Sequence, residues 1–476
     1  MSADGPAPAD RASDDGGPDD TAVVWFRRDL RVQDQAMFLT AAEGARGSLG
    51  LFVLDPALLD PAGAARRTYL YRSLRALDAS LGGRLLIMRG DPAEVVPEVA
   101  RAVDAATVHV AADFGPYGTK RDEAVAKALA EDERELVRTG SPYAVAPGRV
   151  RKDDGDPFKV FTPFRRAWAQ HGCRKPADTD ADTVAWQKPS VKGAVKIPAD
   201  ESVDADLPDA GEDAAHARWR DFLDGPVAEY GPARNRPDKP GTSRMSVHLK
   251  YGEIHPRTML ADLARRRSES VETYRTEIAW REFYADILHQ RPDSARRNYD
   301  RSFDALPLAS GKAAQEAFDA WREGRTGFPI VDAGMRQLRA EAWMHNRVRM
   351  IVASFLVKDL HLPWWWGARH FMKLLVDGDL ASNQHGWQWT AGSGTDASPY
   401  FRVFNPITQG EKFDPDGDYV RRHVPELRDV RGKAVHQPWA LPDGVPEGYP
   451  EPIVDHKAER VAALARYEQV KAARRP

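Results

Sequence analysis

The chain runs to 476 residues, with 68 Lys and Arg against 71 Asp and Glu and a formal net charge of −3. Its length accommodates two or three domains with a sizeable core, and its single cysteine, Cys173, excludes a disulfide framework and any cysteine-based zinc or iron–sulfur site. The charge excludes little, because residues 1–20 alone carry six Asp and one Arg, and binding follows local potential rather than the net.

Residues 1–20 also lack any aromatic residue, and they cannot bury enough apolar surface to offset their ordering entropy. The sequence therefore predicts a disordered acidic tail there. The tail lacks a signal-peptide pattern and no apolar run in the chain is long enough to cross a bilayer, which points to a cytoplasmic protein. Over 21–150, short apolar runs alternate with amphipathic stretches. Ala22–Phe26, Gly50–Leu54, Arg84–Met88 and Thr107–Ala111 read as buried parallel strands, with helices such as 65–80 and 93–103 between them. That alternation predicts a doubly wound α/β domain. No Gly-x-Gly-x-x-Gly follows the first strand, which disfavours a standard dinucleotide fold, and Asp113-Phe114-Gly115 lacks the partners of a kinase motif.

Residues 151–213 are expected to link two domains, the part from 174 onward being rich in Pro, Asp and Ala without periodicity. Over 214–476 strand signals largely vanish. Helical patterns recur at 257–267, 271–290, 313–323, 329–342, 345–358 and 367–377, predicting a larger all-α domain. Chain positions beyond 238 hold nine of the thirteen tryptophans.

Three clusters in this half mix large rings with polar groups of the kind usually kept outside a core. They are Glu277–Tyr284, Trp343–Met350 and Asp377–Asn405. The mixture suits a flat, polar ligand lying against aromatic rings. At Gly241–Ser246, hydroxyls and backbone amides crowd a glycine ahead of a helix, a pattern open to two readings: a phosphate cradle or an N-cap box. No metal site is indicated.

Together these clusters closely resemble the photolyase/cryptochrome family, and within it the class I cyclobutane pyrimidine dimer (CPD) photolyases. The match runs from Val23 to about Asp414; Trp25–Arg31 resembles the family's opening strand and turn, and Gly324–Arg336 its central helix start. The resemblance implies a DNA photolyase: a light-driven lyase for DNA repair, acting on UV-damaged DNA as a monomer. It implies FAD, active as FADH⁻, bound in the all-helical domain. By this likeness Tyr230, Thr242, Ser243, Arg244, Met245 and Ser246 hold the pyrophosphate and nearby flavin; Arg349, Asp377 and Asp379 supply an Arg–Asp pair and a ribose or ring contact; Asn383 faces flavin N5. Glu277, Trp280, Arg281, Asn346, Arg347, Met350 and Trp387 would wall a cavity for the flipped-out lesion. A six-four repair enzyme would carry histidines at 346 and 350, where this chain has Asn346 and Met350. Arg234, Arg347 and Arg402 resemble phosphate contacts, and Lys159, Arg165 and Arg166 are placed by charge alone.

Trp387 and Trp364 match the inner two members of the family's electron-carrying tryptophan chain, but Gly311 stands at the outer position. Trp365, Trp366 or Tyr299 would then have to act as a substitute exit. Residues 112–122 resemble members whose antenna chromophore is 8-hydroxy-5-deazaflavin more than those using methenyltetrahydrofolate. The alternative activity is a cryptochrome-type blue-light photoreceptor, which would not require the lesion cavity and would favour a long carboxy-terminal extension.

Overall fold

The computed structural model describes residues 21–400 and 402–473, so the tail expected over 1–20 lies outside the described residues. Five strands form one parallel sheet: β1 (Thr21–Phe26), β2 (Gly47–Leu54), β3 (Leu85–Arg89), β4 (Ala105–Val110) and β5 (Glu135–Arg138), in the order β3-β2-β1-β4-β5. The two-residue period of a strand sends Val24 and Phe26 into one hydrophobic core and Val23 and Trp25 into another, one on each face of the sheet. The order reverses between β1 and β4, so their carboxyl ends flank the switch point where open α/β sheets take ligands. The strand at 135–138 was not expected, because its four residues hold one buried apolar side chain, Leu136, between charged ends.

The helices begin where polar caps meet apolar periodicity. Asp91 caps Pro92–Ala102 by accepting from the Ala93 amide at 2.9 Å, and Ser268 caps the 22-residue helix Glu269–Gln290 by accepting from the Val271 amide at 3.1 Å. Beyond Glu212 the described residues form helices and loops with no strand, giving the α/β sheet followed by a helical part that the sequence predicts. The stretch 151–213 is not featureless: Phe161–His171 is a helix, and its Phe161, Phe164 and Trp168 are buried against Ile278 and Phe283 of Glu269–Gln290. From there to Gly211 the chain has one short 3-10 helix, Ala181–Thr183, and packs Val184 and Trp186 on the sheet's core.

A buried polar knot ties the sheet to the helices. The Glu253 carboxylate accepts from Tyr69 Oη (2.9 Å), Ser73 Oγ (2.6 Å) and the Gly211 amide (2.7 Å), and meets His248 Nδ1 at 2.6 Å. Next to it, Gly252 adopts φ +71°, and a Cβ there would stand 1.9 Å from the Arg28 carbonyl oxygen. Only glycine lets the β1 turn approach this closely.

Candidate active site

Three short helices and one long one converge on the polar interior: Glu269–Gln290, Asn346–Ser354, Trp364–Leu374 and Leu380–Ala391, the last packing against the other three. His345 caps Asn346–Ser354, its Nδ1 accepting from the Arg347 amide at 3.2 Å, and Asp379 caps Leu380–Ala391, accepting from the Ser382 amide at 3.0 Å. These caps set the start of each helix and with it which side chains face inward. Asn346–Ser354 continues into a π-helical turn, Phe355–Asp359.

On one side of this interior Arg349 pairs with Asp377, Nη2 to Oδ2 at 2.8 Å, while its Nε donates to the Met344 carbonyl. The other carboxylate oxygen, Asp377 Oδ1, is buried and has no partner. A buried acceptor left this way costs free energy unless a donor reaches it, so the geometry leaves a place for a ligand hydroxyl or N–H. Asn383 commits its amide hydrogens to the Ala368 carbonyl (3.1 Å) and Gln384 Oε1 (2.9 Å), which leaves its own Oδ1 as an acceptor. Trp387 is buried edge-on to Phe371 and Trp321. Its ring fits only because Gly367 lies beneath it: a Cβ there would come within 2.1 Å of the indole. Asp379 also pairs with Arg28 at 2.8 Å, joining the β1 turn to the helices. Burial would raise the Asp379 pKa, but Arg28, Lys250 and Arg281 outweigh it and hold the carboxyl well below the usual range. The same surroundings, burial first and then Arg28, lower Lys250 to about 7.

On the other side Glu277 pairs with Arg234 at 2.7 Å. Burial raises the Glu277 pKa, opposed by Arg234 and Arg347. Arg347 is lowered by burial and by its neighbours Arg234 and Arg402, and Arg234 and Arg347 are the two cations that act on Glu277. Arg347 Nη2 donates to Asn235 Oδ1 at 2.6 Å, its Nη1 reaches Met350 Sδ at 3.4 Å, and its guanidinium lies over Phe413. Asn346 is exposed at the first position of its helix. Trp280 is half-buried, and one face of its indole stacks on Phe161 with centroids 3.6 Å apart and planes 9° from parallel. Phe161 is itself fixed by its amide, which donates to Asp396 Oδ2 at 3.0 Å.

Several expected residues stand elsewhere. Arg281 does not join Glu277 and Trp280: its guanidinium lies over Tyr143 and donates to the carbonyls of Pro142 and Leu249, because a residue one further along a helix points about 100° away from Trp280. Of the Tyr230–Ser246 group, Arg244 pairs with Glu341 and lies over Trp343, and Met245 is buried in the apolar cluster around Trp219. Those two side chains are turned from the interior, so a ligand contact there would be through backbone. Ser243 Oγ is 2.8 Å from Tyr274 Oη, and Tyr230 packs edge-on to Tyr274. The helix after this turn, Ser246–Tyr251, has only six residues. Lys159 and Arg166 are exposed, and Arg165 donates to Thr276. Phe161, Asn235, Arg28 and Lys250 were not anticipated; only Arg28 lay in a motif already singled out.

Comparison with known proteins accounts for this arrangement. The model of the FAD binding domain of DNA photolyase matches residues 274–469, and the DNA photolyase model matches residues 22–182. A deoxyribodipyrimidine photo-lyase of Agrobacterium fabrum is 40% identical, covering 94% of this chain and 98% of the relative, and one of Streptomyces griseus is also 40% identical, covering 94% and 99%. The crystal structure of a bacterial class III photolyase from Agrobacterium tumefaciens superposes with a TM-score of 0.86 at 38% identity, covering 97% of this chain and all of that one. The chain belongs to the DNA photolyase family. That structural neighbour is class III, so membership holds for the family and does not extend to the class I assignment. The orphaned Asp377 oxygen, the free Asn383 carbonyl and the Gly367-seated Trp387 fit a bound flavin dinucleotide. No helix of the described residues is long and apolar enough to cross a membrane.

Proposed function

We propose that the chain is a light-driven deoxyribodipyrimidine photo-lyase that splits cyclobutane pyrimidine dimers in UV-damaged DNA, with FAD as its resident cofactor. The observation that carries this reading is the wall built from Glu277, Trp280 and Arg347, an acid between two arginines beside a half-open aromatic face. Two linked pyrimidines need such a surface, an apolar plane to lie on and an acceptor for their N–H edges, and extruding a dimer costs less than extruding intact bases. Asn346 and Met350, in place of a histidine pair, suit ring splitting without acid catalysis. We place the protein with its DNA in the cytoplasm, as a monomer.

When bound and reduced, the flavin supplies an electron on excitation and regains it after the ring opens. Arg349 and Asp377 would hold and orient it, and Asn383 Oδ1 would be the acceptor offered to it. Buried Trp387 would help to exclude water from the site. Glu277 stays paired with Arg234 and offers its second oxygen to the substrate. Glu277→Gln should keep fold and flavin content while lowering repair per absorbed photon by a partial amount, since shape is kept and charge is lost. An unchanged quantum yield with substrate bound would remove Glu277 from the mechanism.

Arg234, Arg347 and Arg402 would displace condensed counterions from the phosphates, so these three should contribute about −2 to −3 to the log–log slope with which binding in the dark falls with salt. Replacing one of them should reduce the slope by about one unit and leave lesion preference nearly intact, as read by a salt titration of each variant. For the antenna we favour 8-hydroxy-5-deazaflavin over methenyltetrahydrofolate, held at the switch point where Arg27, Arg28, Ala111, Asp113 and Pro142 meet. As packed, these side chains leave about 10 Å³ there, with Arg27 over Trp25 and paired to Asp122 at 2.5 Å. A planar chromophore enters only if the arginines turn outward; an absorption band beyond those of flavin in the purified protein is its test.

A further inference from the structure

A groove of about 650 Å³ opens beside the carboxy-terminal helix His456–Ala473, and none of its lining residues belongs to the candidate active site. Its lining includes Val403 and Asn405 on one side and His456, Lys457, Arg460 and Val461 on the other. Lys457 and Arg460 are exposed, and three-residue spacing puts them on one face of the helix. The acids nearby are already committed. Glu459 meets His361 at 2.7 Å, Asp359 meets His456 at 2.5 Å, and Asp455 accepts from the Lys457 amide at 2.8 Å. The two cations have no ion pair among the described residues, and the lining itself holds no carboxylate, so the groove wall is cationic.

The groove's lining also starts directly after Arg402 in the chain. Val403 follows Arg402, whose charge is felt by Arg347 on one side and by buried Lys358 on the other; Lys358 Nζ donates to the Arg402 carbonyl at 3.2 Å. Asn405 spends its Oδ1 on the Ile407 and Thr408 amides, which leaves Nδ2 as a donor. Val461, 65% exposed, adds an apolar edge of the kind a sugar can cover. The floor is rigid, since Ala463 and Val470 anchor the helix in a cluster with Tyr400.

We infer that this groove seats the sugar–phosphate backbone of the duplex flanking the lesion, with Lys457, Arg460 and Asn405 Nδ2 on its phosphates. The inference rests on the DNA-repair reading above and extends the binding surface beyond the lesion cavity. Contacts of this kind position a duplex and carry no sequence information.

The test uses the full-length protein, comparing wild type with the double variant Lys457→Ala, Arg460→Ala in the dark. Three probes are titrated over a salt series: a duplex of about two helical turns carrying one dimer, the same duplex undamaged, and a thymine-dimer dinucleotide. The variant should lose about two units of salt slope on both duplexes, and between about tenfold and a hundredfold in affinity at ~0.1 M salt. The ratio between damaged and undamaged duplex, and the affinity for the dinucleotide, should stay as in wild type. Unchanged duplex affinity and slope would overturn the proposal, as would an equal loss on the dinucleotide, which would mean that the substitutions disturb the lesion cavity instead. If wild type itself showed no preference for the dimer, the reading of the active site would fail, while the groove would still stand or fall on the slope.

Discussion

Replacing Glu253 by alanine should destabilise the protein by about 3–5 kcal/mol, the scale on which removing one partner from a buried, hydrogen-bonded charge acts. The loss is large because one carboxylate joins three segments: the helix Ala64–Ser80, the turn at Gly211 and the helix Ser246–Tyr251. Without it the Gly211 amide loses its partner in a region closed to water, while Tyr69 Oη is left with the Asp209 carbonyl and His248 Nδ1, and Ser73 Oγ with the Tyr69 carbonyl. The stranded donor keeps its desolvation cost while the bond that offset it is gone. Glu253→Gln should fall between, since it keeps one acceptor and the volume. Urea unfolding followed by far-UV circular dichroism measures this as a lower midpoint, and an alanine variant with the wild-type midpoint would show that the knot contributes nothing net.

The second large effect concerns how the cofactor reaches its reduced form. With a thiol as the external donor, light-driven reduction of the oxidised protein should be lost in Trp387→Phe, because both aromatic routes to the surface begin at that ring. One is the step that the family resemblance assigns to Trp364, on the helix packed against that of Trp387; its indole is edge-on to half-exposed Trp365 at 5.9 Å and donates to Asn298 Oδ1. The other passes from Trp387 to Trp321 at 6.1 Å, then by way of Phe318, 5.7 Å from Trp321 and 5.3 Å from Trp366, to the half-exposed Trp366. Trp364→Phe should therefore slow photoreduction and leave a remainder that Trp321→Phe removes. Enzyme reduced chemically beforehand should repair normally in the Trp364 variant. Transient absorption checks the scheme, and a Trp387→Phe protein that photoreduces at the wild-type rate would refute it. Gly311 does not become a third exit by simple substitution. The space around it is open, but its φ of +80° is a backbone conformation that strains any residue with a side chain.

The parts of the fold that sequence makes legible are those where one local rule dominates. Buried parallel strands show as unbroken apolar runs, as in Val23–Phe26, and capped helices show as Asp91 or Ser268 ahead of an apolar stripe. The helix Leu380–Ala391 carries no such stripe. Its buried positions include Gln384, His385 and Gln388, whose polar groups reach Ala295 O, Ser294 Oγ and Ser294 O, contacts that no local pattern announces. Among site residues, Glu277, Arg347, Asp377 and Asn383 could be named because family motifs fix their neighbours in the chain. Phe161 could not, since its stack on Trp280 joins residues more than a hundred positions apart. Arg281 sat in the right motif, and only the packing of Pro142, Tyr143 and Leu249 shows which way its side chain turns.

The most direct measurement is the dimer content of UV-irradiated DNA after incubation with purified, flavin-loaded protein, in parallel under blue light and in darkness. Dimers should disappear in the lit sample, with intact pyrimidines recovered and strand length unchanged, and should persist in the dark sample although the protein binds them there. Equal dimer content in light and dark, with flavin present and lesion binding demonstrated, would contradict light-driven repair by this chain.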